Sequence, residues 1–159
     1  MNKMIRTFSK IILISLTFIA AFAFAQNGVG KQLASDAMAL VSYLELSNIG
    51  SRDIECKGTP FEVINVNAVI DSEIKAALVK LAATERKNNS KEIEEMISVV
   101  KQIPFTSKDG KYVLQSTYEK LKQDSFTTYG KQGGCASLSA SLRSVVQQRR
   151  LSIRNYMNQ

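Results

Sequence analysis

The stretch "YGKQGGCASLSAS", residues 129–141, decides how this chain is organised. Gly133 and Gly134 free the backbone, a cysteine follows, and small residues lead into a helical pattern. A helix N-terminus stabilises a thiolate, so Cys135 has the setting of a nucleophile. A metal ligand or half of a disulfide would be written in the same residues. The rest of the sequence chooses among the three. There is no histidine, and the only other cysteine is Cys56. The missing imidazole removes Cys-His catalysis, Ser-His-Asp triads and histidine-based metal sites together. A site built on two thiolates would need carboxylates to complete a zinc shell, and no paired-ligand spacing supplies them. No catalytic set, metal or cofactor is expected.

The N-terminus bears on the compartment. "MNKMIRTFSK" carries Lys3, Arg6 and Lys10 without an acid, and "IILISLTFIAAFAF" is an apolar run of 14 residues. Small residues at Ala23 and Ala25 suit a cut before Gln26. This is the layout of a cleaved secretory signal over residues 1–25. The apolar run is shorter than the ~20 residues that span a bilayer, and no second long run follows. One domain is expected over residues 26–159, in a periplasmic or secreted protein. In an exported protein two cysteines most simply pair. A Cys56–Cys135 bond would close a loop of about 80 residues, worth roughly 4–5 kcal/mol on a chain-entropy estimate. On this reading the opening stretch is a staple.

The mature chain reads as helical nearly throughout. Leu33, Ala37, Leu40, Val41 and Leu44 recur at three- and four-residue spacing, with Asn48 and Gly50 expected to end that helix. "SRDIECKG" is a polar connector holding Cys56. In "TPFE" Thr59 reads as an N-cap, Pro60 as the first helical residue and Glu62 as the far side of a capping box. Val63, Val66, Ile70, Ile74, Ala77 and Leu81 would then share one face, with a kink near Asp71 and Ser72. The β-branched run "FEVINVNAVI" also suits a strand, but a strand would break the register into "EIKAALVKLAA". A third helix, capped by Asn89 or Ser90, carries Ile93, Met96, Ile97 and Val100 and stops at Pro104. "TSKDG" reads as a turn. A fourth helix aligns Leu114, Tyr118 and Leu121, "TTYGKQGG" reads as a loop, and a fifth helix closes the chain. The expectation is an all-α, single-domain bundle of about five helices stapled by one disulfide.

Several short patterns carry little. "SEIK" at 72–75 matches a Ser-x-x-Lys pair, but its partner motifs are absent. Glu92, Glu94 and Glu95 sit at a helix start, where acids complement the helix dipole, and not across a cleft. "NNS" at 88–90 accepts a glycan only in a glycosylating host. The Lys-, Ile- and Asn-rich composition points instead to a bacterium.

Charge is unevenly placed. The whole chain has 21 Lys+Arg against 14 Asp+Glu, a net +7, and removal of the signal leaves +4. Residues 26–124 hold 13 basic and 14 acidic residues, whereas residues 125–159 hold five basic residues and no acid. On the last helix Leu138, Leu142, Val145, Val146, Ile153 and Tyr156 form an apolar arc. Arg143, Arg150 and Arg154 line up beside the arc, and Arg149 falls inside it. A guanidinium among apolar residues must pair, reach an edge or face a partner. These four arginines are the candidate docking residues, for an acidic protein or an anionic envelope surface. Nucleic acid is not expected, since export opposes it and aromatic residues for base stacking are missing. The bland alternative is a solvated stripe whose arginines pair with acids elsewhere in the fold. The function expected is a non-catalytic binding module, inhibitor- or immunity-like in size and compartment. A structural or chaperone-like envelope protein is the first alternative, and an enzyme without a recognisable motif the second.

Overall fold

The computed structural model describes residues 28–84, 90–102 and 108–158. The expected signal at 1–25, the caps at Asn89 and Pro104 and the start of "TSKDG" lie outside the described residues. Four helices account for nearly all of what is described, and no strand occurs among these residues. Helix α1 is Gly28–Arg52, and a 3₁₀ turn at Ile54–Cys56 follows it. Helix α2 is continuous through Val66–Val69, a π-helical turn at Ile70–Ile74 and Lys75–Thr84. Helix α3 is Ser90–Gln102, and α4 is Lys108–Met157. The π turn falls where a kink near Asp71 and Ser72 was expected.

The count is four and not about five because the expected loop at "TTYGKQGG" is helical on both sides of a single residue. Gly130 has φ 70° and ψ 176°, a backbone region that essentially only glycine enters. Residues 108–129 and 131–157 are thereby two arms of one bent element. Their closeness is set at Gly134: a Cβ there would lie 2.6 Å from Phe126 Cδ1 and 2.9 Å from the Phe126 backbone nitrogen. In a straight helix eight residues span about 12 Å. The arms therefore fold back on one another, and Tyr118 of the first packs with Leu138 and Leu142 of the second.

The second arm runs antiparallel to α1. Asp36 near the start of α1 meets Arg149, Ser152 and Tyr156, and Leu46 near its end packs with Leu138 and Leu142. One core cluster joins α1, α2 and α3 to the end of α4, through Leu33, Leu40, Leu44, Ile70, Ile74, Ile97, Val146 and Ile153. A second cluster lies under the disulfide, with Leu46, Cys56, Phe61, Tyr118, Cys135, Leu138 and Leu142. Tyr43 packs against both. Among the described side chains the apolar stripes read from the sequence pack in or against these clusters, except at Val145, which is half-buried and in neither, and at Val63, which is 76% exposed.

Val63 departs because α2 does not begin at Thr59. Its first residue is Val66, and Asn65 caps it by accepting from the Ala68 N–H at 3.1 Å. Residues 60–65 form a strap across α1 and α4, fixed by side chains that a sequence-local reading cannot see. Asn48 does not end α1, which continues to Arg52. It grips Ile64 instead: Oδ1 accepts from the Ile64 N–H and Nδ2 donates to the Ile64 carbonyl, both at 2.9 Å. Ser47 Oγ donates to the Glu62 carbonyl at 2.8 Å. These bonds, with the Phe61 ring buried so close to Gly50 that a Cβ there would overlap it, outweigh the local capping box.

The hairpin makes a testable distinction between adjacent glycines. Gly134→Ala should lower stability by about 1–3 kcal/mol, because the added methyl meets backbone that cannot step aside. Gly133→Ala meets only Tyr129 Cβ at 3.2 Å and should be close to neutral. Thermal melts of the two variants check this.

Candidate functional site

The hairpin delivers Cys135 to Cys56. The two form a disulfide with a Cα–Cα distance of 5.4 Å, and no described cysteine is free. The cysteine that opened the sequence question is a staple. A polar cluster next to it holds the turn that carries Cys56. Lys122, on the first arm of α4, places its ammonium 2.9 Å from each of Asp53 Oδ2, Glu55 Oε2 and Glu119 Oε2. Tyr118, one turn earlier, donates its hydroxyl to Asp53 at 2.9 Å, and its ring lies under the ammonium. Asp53 in turn caps the 3₁₀ turn by accepting from the Glu55 N–H.

Burial works against the charge on Lys122, but the three carboxylates outweigh it and raise the ammonium above its ordinary value. Burial would likewise raise Asp53. Hydrogen bonds from Lys122 and Tyr118 prevail and hold its carboxyl below the usual 3.8. The Tyr118 phenol is pushed up by burial and by Asp53. A lysine held so firmly protonated is a poor nucleophile or base. The arrangement is a clasp.

The second buried charge is Asp36, 1% exposed on α1. Arg149 Nη1 reaches its Oδ1 at 2.7 Å, Ser152 Oγ its Oδ2 at 2.7 Å and Tyr156 Oη its Oδ2 at 3.3 Å. Burial, then the Asp36 charge, raises the Tyr156 phenol. Arg149 therefore resolves its place inside the apolar arc by pairing.

The four candidate arginines separate. Arg149 is engaged with Asp36. Arg150 Nε lies 3.2 Å from Glu73 Oε1, from the π turn of α2, without the alignment of a hydrogen bond. Arg143 is exposed and donates to the Pro60 carbonyl of the strap at 3.0 Å. Arg154 is exposed, with no ion pair among the described residues. Leu151, 58% exposed, sits one turn before it. Ser139 Oγ adds a second bond to the Pro60 carbonyl at 2.9 Å.

Sequence reading missed the anchors: Asp36, Ser47, Asn48, Asp53 and Lys122. Asp36 is the one with a local trace, as an acid beside the apolar stripe of α1 that needs a partner. Among the described residues no group of acids and cysteines is arranged to hold a metal, and no helix is long and apolar enough to cross a membrane. Comparison with protein families finds no matching model, and comparisons with characterised proteins and with solved structures find no significant match. What the fold and the site define, over the described residues, is a disulfide-stapled, all-helical protein with charge clasps at Asp53–Lys122 and Asp36–Arg149.

Each clasp has a measurable signature. Arg149→Ala should cost about 3 kcal/mol, because it leaves Asp36 buried with only hydroxyl partners. Below pH 3.8 the Asp53 clasp should fail: its depressed carboxyl contributes stability that is full above the unfolded value and is lost as pH falls through the folded one. Asp53→Asn should lower stability at neutral pH and flatten that acid limb. Urea melts across pH distinguish the outcomes.

Proposed function

We propose that this chain is an exported, non-catalytic binding module that docks an acidic protein on the outer face of its last arm. Export rests on the signal-like N-terminus together with the disulfide, a bond that persists outside reducing compartments. The observation that carries the docking face is its charge. Residues 125–159 contain no acid, and Arg154 stands exposed beside Leu151 while Arg149 and Arg150 are held by internal acids. A cation with no ion pair among the described residues, flanking an exposed leucine, suits a small interface in which charge steers and an apolar contact anchors. Arg143 extends the face toward the strap.

Arg154→Glu, alone and with Leu151→Ser, should leave melting nearly unchanged, since exposed charges are worth about 0–1 kcal/mol. The double variant should lose the acidic partner that the native protein captures from an envelope extract, with slower association at low salt. Capture of the same partner by native and variant proteins would remove the last arm as the site. Binding to anionic vesicles without stoichiometry would favour an envelope-surface role.

A further inference from the structure

The strap at 60–65 has a feature that neither the core nor the charged arm requires. A residue's own N–H and C=O point to the same side only in extended backbone, and Asn48 holds both groups of Ile64. On the other side of Val63 the carbonyls are fixed as well, Glu62 by Ser47 and Pro60 by Ser139 and Arg143. Val63 itself is untouched. Its side chain is 76% exposed, and its N–H and C=O take no partner among the described residues. The Cys56–Cys135 bond anchors the chain just upstream. One residue, Val63, is thus presented with its side chain exposed and its carbonyl unpartnered, while the Ile64 N–H on the far side of that carbonyl and the carbonyls upstream are clamped.

From this we infer that the strap is a peptide mimic for the cleft of a serine endopeptidase with a small aliphatic primary pocket, with Val63 filling that pocket. The inference rests on the reading of the chain as a non-catalytic binding module and names the partner class for a second face of it. A free edge of one residue is too short for a sheet ladder, whose strands run about 5–6 residues. It suits a cleft that reads one protruding side chain in a pocket. A small pocket selects such a side chain, as an acidic one selects a basic side chain. Rigid presentation lowers the ordering cost of binding.

The same clamps oppose hydrolysis. Attack by the enzyme's serine oxygen on the Val63 carbonyl carbon forms an ester, breaks the bond to the Ile64 nitrogen and passes the hydroxyl proton to that nitrogen. Asn48 still holds Ile64, so the new amine stays beside the acyl carbon. Its return re-forms the amide, restores the serine hydroxyl and consumes nothing.

The disulfide-bonded protein should be assayed against an elastase-type serine endopeptidase cleaving a small chromogenic peptide. Reversible, competitive inhibition is expected. Val63→Asp should weaken it at least roughly tenfold, the scale of a lost pocket contact, and Val63→Arg should transfer inhibition to a trypsin-type enzyme. Asn48→Ala, if folded and oxidised, should be cut between residues 63 and 64 at least roughly tenfold faster than the native protein. If Asn48→Ala does not fold, the exposed Val63 variants decide alone. Absence of inhibition by the native protein and by Val63→Arg overturns the inference, as does equal cleavage of native and Asn48→Ala proteins. Arg154 lies outside the strap, so charge reversal there tests the arm alone and either reading can fail without the other.

Discussion

The close approach of Gly134 to the backbone of Phe126 is the contact on which the other features depend. With Gly130 turning the chain and Gly134 letting the arms meet, the second arm of α4 is delivered to α1 in one register. That register puts Cys135 on Cys56, Ser139 and Arg143 on the Pro60 carbonyl, and Arg149 on Asp36. The first arm arrives with it, bringing Tyr118 and Lys122 to Asp53. Covalent, polar and ionic contacts thus follow from one turn. A side chain at Gly134 would disturb them together.

Buried charge is used here to fix position more than to add stability. Lys122 and Asp53 are both largely removed from water, and their attraction is set against a desolvation cost of similar size. What the pair supplies is direction: an ammonium with three carboxylates has few alternative seats, so the turn carrying Cys56 can lie in only one place. Asp36 does the same at the other end of α1, where Arg149, Ser152 and Tyr156 lock the end of the last arm. With Arg149 and Arg150 drawn inward and Lys131 lying near Glu55 at the start of the arm, the outward charge toward its far end falls to Arg143 and Arg154.

Helical periodicity made the all-α class, the core stripes and the disulfide partners legible, because each is written in residue spacing or in a count of two. Leu33 to Leu44 and Ile70 to Leu81 pack on the faces their spacing implies. The strap was not legible. Thr59, Pro60 and Glu62 form a sound local start signal, and it lost to bonds from residues 47, 48, 139 and 143 that no local window contains. Asn48 misled for a physical reason, since an asparagine that ends helices by its own backbone geometry is also one that can hold another backbone through its amide. The pairing of Arg149 was foreseeable as a need and not as an address, because nothing local connects it to Asp36 across 113 positions.

A strap held open between two clamped flanks is what separates this protein from a plain helical bundle, and it is what gives the disulfide corner a surface to present. The most direct test is amide hydrogen exchange at residues 63 and 64. With Ile64 bonded to Asn48 and Val63 unbonded, the Ile64 amide should exchange slowly and the Val63 amide near the rate of free peptide. Equal protection of both, as in a helix beginning at Thr59, or equal exposure of both would contradict the clamped strap.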